Sequence, residues 1–167
     1  MKKRIIAIMA ILTIAATMLA GCGKKETIIS DHLSGLYWGE SQVGVESALG
    51  SNLVDPNLFT DNGSTIGVFD AEKLGFPTRA NTTIYATYTV TDDKLTTICV
   101  SYSGSEEDLN AISASVLTFL DDEYGNPKKK DAYEENFIYE WSTKKAYIKM
   151  ESYDIMGVII TYKAPQK

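Results

Sequence analysis

Histidine and cysteine are scarce in this chain, which has one histidine, His32, and two cysteines, Cys22 and Cys99, among 167 residues. Zinc sites need several such ligands at set spacings, and a catalytic triad needs a positioned histidine base. We therefore expect no metal, no cofactor and no catalytic residue. His32 is expected to be a solvated linker residue and Cys99 a packed strand residue, with no disulfide if Cys22 is modified.

Basic residues are also fewer than acidic ones, because the chain has 16 lysines and arginines and 22 acidic residues. Its formal charge is therefore -6. Lys2, Lys3 and Arg4 lie in a segment that we expect to be removed, which leaves 13 basic residues and a charge of -9. A protein of this charge repels phosphate backbones, and its one basic cluster, residues 128–130, is followed by acidic residues. Nucleic acid is therefore not an expected partner.

Long apolar runs are absent except at the start, where Ile5 to Ala20 follows the cationic residues Met1 to Arg4. This run of 16 residues is shorter than the ~20 that a helix needs to cross the bilayer core. A cationic start and a short apolar run are typical of a secretory signal. Cleavage is therefore favoured over a permanent membrane span.

The sequence Leu19, Ala20, Gly21, Cys22 stands directly at the end of the apolar run. It resembles the lipobox of bacterial lipoproteins, in which a leucine and two small residues precede the cysteine that accepts diacylglycerol. The resemblance predicts a signal peptide over residues 1–21, lipid attachment at Cys22 and a lipidated tether over residues 22–36. The alternatives are a plain secretory signal and an uncleaved anchor. Two or three acyl chains give lasting membrane anchorage, so we expect a protein of the bacterial cell envelope that faces outside the cytoplasm.

Residues 37–167 are long enough for one domain with its own core. Val45 and Leu49 stand one turn apart ahead of Gly50, which predicts a short helix over residues 41–49. Ser105 can cap a second helix that ends at Gly125. The apolar stripe of this second helix comprises Leu109, Ile112, Val116, Leu120 and Tyr124. Both helices are expected to rest their apolar stripes on a sheet.

Alternation of apolar and polar residues predicts six strands. They cover residues 65–69, 82–91, 95–103, 136–142, 146–153 and 157–163. The second and third form a hairpin through residues 92–94, and the last three form an antiparallel meander. Residues 51–64 are rich in turn formers and are expected to be a long connection. Asp55, Asn57, Asp61 and Asn62 lack the register of an EF-hand, so turn chemistry is favoured over a calcium loop.

These elements predict an α+β fold built from two tandem helix-plus-three-strand units. The units form an antiparallel sheet with the helices packed on one face and the other face left free. On the free face of the predicted hairpin the residues are polar or aromatic. They are Thr83, Tyr85, Thr87, Thr89, Thr97, Cys99 and Ser101.

Each predicted unit has a helix that closes on a glycine ahead of antiparallel strands. The residues of this pattern are Gly39, Val45, Leu49 and Gly50 in the first half and Leu120, Tyr124, Gly125 and Pro127 in the second. The pattern resembles the beta-lactamase-inhibitory-protein-like group and the small outer-membrane lipoproteins related to it. The likeness covers most of residues 37–163, although the first half lacks the proline usual after its glycine. It implies a noncatalytic protein-binding domain with a curved sheet, and no functional residue is carried over.

A binding module that uses the open face of the sheet is the favoured function, with a protein or a small ligand as its partner. Tyrosine offers a large contact area at a low entropic cost, so the candidate contacts are Tyr85, Tyr147, Lys149, Glu151 and Tyr153. One alternative is a structural or assembly lipoprotein that docks onto a membrane complex. Another is a hydrolase that uses two spaced carboxylates. Residues 121–123, Glu134 and Glu135 are its candidates, and we expect all of them to be solvated.

Overall fold

The computed structural model describes residues 31–33, 35–133, 136–153 and 157–165 of the chain. The predicted signal peptide, Cys22, Glu134 and Glu135 lie outside the described residues. The helices are α1 (Gln42–Leu49) and α2 (Glu106–Tyr124). The strands are β1 (Leu53–Asp61), β2 (Ser64–Phe69), β3 (Thr83–Thr91), β4 (Lys94–Ser103), β5 (Lys129–Tyr133), β6 (Asn136–Ser142), β7 (Tyr147–Tyr153) and β8 (Gly157–Lys163).

All eight strands belong to one sheet in the order β1-β2-β3-β4-β8-β7-β6-β5, and every neighbouring pair is antiparallel. The two halves of the chain meet where β4 pairs with β8, from Thr97 opposite Lys163 to Tyr102 opposite Val158. From this central pair each half runs outward to one edge, which is β1 on one side and β5 on the other.

The predicted α+β class with an antiparallel sheet is confirmed, but the prediction of three strands after each helix is wrong, because each helix is followed by four. The two strands that were not predicted, β1 and β5, are the two edges of the sheet. Residues 51–64 were predicted to be a connection, yet most of them form β1. Its pairing with β2 shifts register on both sides of Asp55, around Pro56, and such irregularity is tolerated at an edge.

The short helix α1 begins and ends at the residues that the sequence indicates. The Ser41 hydroxyl accepts a hydrogen bond from the backbone N–H of Gly44 at 3.2 Å. Gly50 has a φ of 52°, and its N–H donates to the Glu46 carbonyl. Val45 and Leu49 are the buried residues of this helix, so its stripe faces the core as predicted.

Helix α2 is also capped as predicted. The Ser105 hydroxyl accepts from the Asp108 N–H at 3.3 Å, and the Gly125 N–H donates to the Asp121 carbonyl at 2.8 Å. The buried residues of α2 are Leu109, Ile112, Val116 and Leu120. They pack against the same side of the sheet as the buried residues of α1 and form one core cluster with them. We call this side of the sheet the covered face.

The covered face is formed by alternate residues of the strands, and these side chains are apolar or aromatic. In the central strands they are Ile98, Val100 and Tyr102 of β4 and Val158, Ile160 and Tyr162 of β8. Trp141 of β6 belongs to the same core, and its indole N–H donates to the Gly125 carbonyl oxygen at 2.7 Å. This bond joins the end of α2 to the sheet.

The chain before α1 packs more closely than the sequence indicates. Leu33 and Leu36 are buried in the core, so the predicted tether boundary at residue 36 lies inside the folded body. His32 is half-buried, with its ring centroid 4.8 Å from that of Phe119 and its Nδ1 3.0 Å from the Leu74 carbonyl oxygen. The prediction of a solvated His32 is therefore wrong.

Candidate functional site

The side of the sheet away from the helices, which we call the open face, carries the candidate site. Its residues stand in rows that run from strand to strand, because directly paired residues point to the same side. The central row consists of Val68, Thr87, Cys99, Thr161, Lys149, Glu140 and Lys129. Along this row the face changes from apolar and hydroxyl side chains near β2 to charged side chains on β7, β6 and β5.

Four of the five candidate contact residues lie together on β7. Tyr147, Lys149, Glu151 and Tyr153 occupy alternate positions of this strand, so all four project from the open face. The Lys149 Nζ lies 2.7 Å from Glu151 Oε1, and the Tyr153 hydroxyl donates to the same oxygen at 2.8 Å. A lysine and a phenol thus converge on one carboxylate oxygen between two tyrosine rings.

The ionisation of these groups follows from their contacts. Burial raises the pKa of the Glu151 carboxyl, but the hydrogen bonds from Lys149 and Tyr153 outweigh it, so the net pKa lies below its usual value. The hydrogen bond to Glu151 raises the pKa of Lys149 and also that of Tyr153. Lys149 and Glu151 are therefore charged at neutral pH, and neither is poised to exchange a proton there.

Three charged residues that sequence reasoning missed extend this cluster across β6 and β5. Glu140 is paired with Lys149 across β6 and β7, and Lys129 is paired with Glu140 across β5 and β6. The Lys129 Nζ lies 2.8 Å from Asp131 Oδ2 and 3.7 Å from Glu140 Oε1. Burial followed by the charge of Glu140 raises the pKa of Tyr147. Acidic and basic residues therefore alternate across three strands, and only the registers of β5 with β6 and of β6 with β7 could have indicated this.

The fifth candidate residue, Tyr85, lies apart from the β7 cluster. It shares a row with Ser101, Ile159 and Glu151, and three strand spacings separate it from Glu151. At about 4.8 Å per spacing, the two positions are roughly 14 Å apart. Tyr85 is 45% exposed and lines an open groove of about 360 Å³ together with Val54, Val68, Glu72 and other residues at the ends of β1 to β3. The structure brings four of the five together and leaves Tyr85 beside a different concavity.

Cys99 stands near the middle of the open face and is half-buried. Burial raises the pKa of its thiol, and a hydrogen bond with Thr161 only partly offsets that effect. A raised pKa lowers the thiolate fraction at neutral pH, and the thiolate is the reactive form. The arrangement agrees with the packed role expected for Cys99.

The acidic residues at the end of α2 are less solvated than predicted. Asp121 Oδ1 and both carboxylate oxygens of Glu123 are shielded from solvent. Burial followed by the charge of Glu123 raises the pKa of the Tyr124 phenol. Glu123 and Tyr124 also line a cavity of about 290 Å³ against the turn at residues 143–145. A carboxylate here faces buried phenols, so the expectation of an ordinary solvated helix end is wrong for Asp121 and Glu123.

Within the described ranges, no three histidine, cysteine, aspartate or glutamate side chains group as ligands for a metal ion. Among those residues, too, no helix combines the length and apolar character needed to cross a membrane.

Comparisons with known proteins give no relative. No family model, no curated protein and no solved structure matches this chain.

Proposed function

We propose that this protein is a membrane-anchored lipoprotein of the bacterial cell envelope, facing outside the cytoplasm. Residues 1–21 would be its signal peptide and Cys22 the residue that carries the lipid. The lipobox, directly behind a short apolar run, supports this proposal. The folded body that follows would then be displayed at a membrane surface, with its covered face closed by the helices and its open face free.

We further propose that the body is a noncatalytic binding module for a protein or a small ligand. The observation that carries this proposal is the cluster on β7, where Tyr147 and Tyr153 flank the Lys149 and Glu151 ion pair. Aromatic rings provide contact area, and the fixed charges between them select a partner by complementarity. We place Tyr85 at the margin of the site, because it lies three strands away.

We also propose that the folded body is built from two tandem units. Each half has one helix followed by four antiparallel strands, and the two halves meet along β4 and β8. Because both halves have the same order of helix and strands, we favour a likeness to the beta-lactamase-inhibitory-protein-like group and its small lipoprotein relatives. A noncatalytic binding role is what that likeness implies.

The second candidate function is a structural or assembly lipoprotein that docks onto a membrane complex. The same open face would serve it, and its partner would copurify in a fixed stoichiometry. A carboxylate-based hydrolase is the third candidate. It predicts turnover that one carboxylate substitution abolishes, and screening the chain against sugars, peptides and esters tests for it.

The anchor is tested by mass spectrometry of the protein purified from bacterial membranes. We expect a mature terminus at an acylated Cys22, and we expect the Cys22→Ser variant to lose both the acyl mass and membrane retention. An intact Met1 terminus, or a mature start at another residue, would contradict the proposed anchorage.

The binding site is tested by chemical cross-linking in membranes and recovery of the cross-linked partner. Tyr147→Ala and Tyr153→Ala each remove a ring at the centre of the site, and we expect each to weaken capture by about tenfold or more. Tyr85→Ala measures how far the site extends. Val43→Ala is the matched control, since Val43 is 75% exposed on the helix side of the body. Equal losses in all four variants would show that the open face is not the site.

A further inference from the structure

The last turn of α2 departs from the usual charge pattern of a helix. The C-terminus is the negative end of the helix dipole, where a basic side chain is favourable. This turn has no basic residue and carries Asp121, Asp122 and Glu123 instead. Departures of this kind are typical of functional sites, where a ligand supplies what the local sequence lacks. A bound positive charge would offset the excess of negative charge at the end of α2.

Buried phenols lie beneath this turn. Trp141 and Tyr162 belong to one row of the covered face, and the bond from the Trp141 indole to Gly125 places the end of α2 over that row. Tyr162 is 0% exposed, and its hydroxyl, like that of Tyr124, has no hydrogen-bond partner among the described residues. Burial raises the pKa of Tyr162, and the charges of Tyr124 and Glu123 add to this effect, so its hydroxyl faces them. Buried hydroxyls without partners are costly, which points to a missing polar partner.

A cavity of about 290 Å³ opens beside these groups, between the end of α2 and the turn from β6 to β7. Its shielded end has the Glu123 carboxylate and the Tyr124 hydroxyl, whose oxygens are closed off from solvent. Its exposed end has Lys144 and Lys145. Among the described residues, neither lysine takes part in an ion pair. The cavity therefore has an acidic shielded end and a basic exposed end.

From these observations we propose that this cavity binds a small zwitterion of the α-amino acid type. The ammonium group donates hydrogen bonds to the Glu123 carboxylate and the Tyr124 oxygen, and the negative end of α2 favours its charge. The carboxylate group accepts from Lys144 and Lys145. A simple cation is repelled by the two lysines and a simple anion by Glu123, so the ligand carries both charges. The volume lies just below the ~300–1,000 Å³ of ordinary small-molecule sites, which favours a ligand of this size.

The test uses the full chain in a non-ionic detergent. Thermal melting is measured with each standard L-amino acid at about 10 mM, because a ligand that binds only the folded state stabilises it by mass action. We expect at least one amino acid to raise the Tm by about 2 °C or more. Isothermal titration calorimetry then gives its Kd, which we expect in roughly the micromolar to millimolar range. If no amino acid raises the Tm, the proposal is wrong.

Derivatives of the best amino acid test the two ends of the cavity separately. Its methyl ester lacks the carboxylate, and its N-acetyl form lacks the ammonium charge. We expect each derivative to bind at least about tenfold more weakly than the amino acid itself. An ester that binds as tightly as the amino acid would show a site for a simple cation and would overturn the zwitterion.

Variants assign the two ends to residues. Glu123→Gln removes the charge of the shielded end, and the paired change of Lys144→Gln with Lys145→Gln removes that of the exposed end. We expect each to weaken binding of the amino acid by about tenfold, whereas the ester should be insensitive to the lysine changes. The lysines are exposed, so their variant stays folded and decides the test even if Glu123→Gln does not fold.

Glu107→Gln is the matched control, because Glu107 is exposed in the first turn of the same helix. It removes one negative charge far from the cavity and should bind the amino acid like the wild type. Circular dichroism checks that every variant is folded. Equal weakening by Glu107→Gln and the lysine changes would show an effect of overall charge and would contradict the proposed site.

Discussion

The two faces of the sheet use tyrosine in opposite ways. On the open face the Tyr153 hydroxyl donates to Glu151 at 2.8 Å. On the covered face Tyr102 and Tyr162 are almost fully buried, and their hydroxyls have no hydrogen-bond partner among the described residues. The same side chain therefore supplies a polar contact on one face and apolar volume on the other. Neighbouring residues of a strand point to opposite faces, so positions one residue apart meet these two environments.

The pKa values of the phenols reflect this contrast. Burial raises the pKa of Tyr88 on the covered face to about 12 and that of Tyr162 well above its ordinary value. On the open face the largest influence on Tyr153 is its hydrogen bond to Glu151, which raises its pKa. Desolvation is the main cause for the buried phenols Tyr88 and Tyr162, whereas a specific partner is the main cause for Tyr153. Substitutions of matched residues on the two faces can therefore separate packing from pairing.

The largest effect is expected from adjacent residues of β8 that face opposite ways. Ile160 is fully buried on the covered face, whereas Thr161 lies on the open face. Ile160→Ala loses apolar burial and leaves a cavity, so we expect it to lower the free energy of unfolding by about 2–5 kcal/mol. Thr161→Ala should cost less than about 1 kcal/mol. Urea denaturation measures both, and similar losses would contradict the assignment of the two faces.

A smaller loss is expected from Gly67→Ala on β2. The Tyr88 ring lies directly over Gly67, where an added Cβ would overlap its atoms. The ring is fully buried and has little room to move, so we expect a loss of about 1–3 kcal/mol. Gly44→Ala in α1 is the control, because its added Cβ meets only the flexible side chain of Glu40 and alanine favours a helix. Thermal melting compares the two variants, and an undisturbed Gly67→Ala melt would show that the ring moves freely.

The extent to which the fold was predictable follows from how local its signals are. Capping at Ser41 and Ser105 and the alternation in β6, β7 and β8 are local, and they gave the helices and central strands correctly. The edge strands were missed because Pro56 and its neighbours are typical of turns and Lys128 to Lys130 of a solvated loop. Such residues form strands only because β2 and β6 offer backbone partners, which is a tertiary effect.

The candidate site was predictable to the same degree. Alternation alone groups Tyr147, Lys149, Glu151 and Tyr153, since they share one strand. Glu140 and Lys129 join this β7 cluster only through the register between strands. The distance from Tyr85 to the cluster depends on the strand order, in which β8 lies beside β4. Neither register nor strand order is written in the local pattern of one sequence.

A gain in stability is expected from Tyr162→Phe on the covered face. The Tyr162 hydroxyl is buried and has no hydrogen-bond partner among the described residues, so its removal relieves a desolvation cost. We expect an increase in the free energy of unfolding of up to about 1 kcal/mol. Tyr88→Phe is the matched variant, because the Tyr88 hydroxyl donates to the Pro56 carbonyl oxygen at 3.4 Å and its loss should be slightly destabilising. Equal losses in urea denaturation would mean that the Tyr162 hydroxyl is solvated.

The smallest effect on stability is expected from the Lys149 and Glu151 ion pair on the open face. The dependence of stability on pH measures this effect. The folded state holds the pKa of Glu151 below its usual value, so the ionised carboxylate stabilises the fold. This contribution is complete above the unfolded pKa of about 4.3 and is lost as pH falls through the folded pKa. Because the pair is partly exposed, it should be worth less than about 1 kcal/mol.

Glu151→Gln removes the charge that titrates and keeps the side-chain shape. We expect the variant to be slightly less stable than the wild type at pH 7, and we expect the difference to shrink as pH falls through the folded pKa of Glu151, where the wild-type carboxyl becomes protonated. Urea denaturation across this range gives the difference, and adding salt should shrink it at pH 7, because screening weakens an exposed pair. A difference that stays constant from pH 7 to pH 3 would mean that the pairing with Lys149 does not stabilise the folded state. In that case the charges on this face would be free to serve a partner alone.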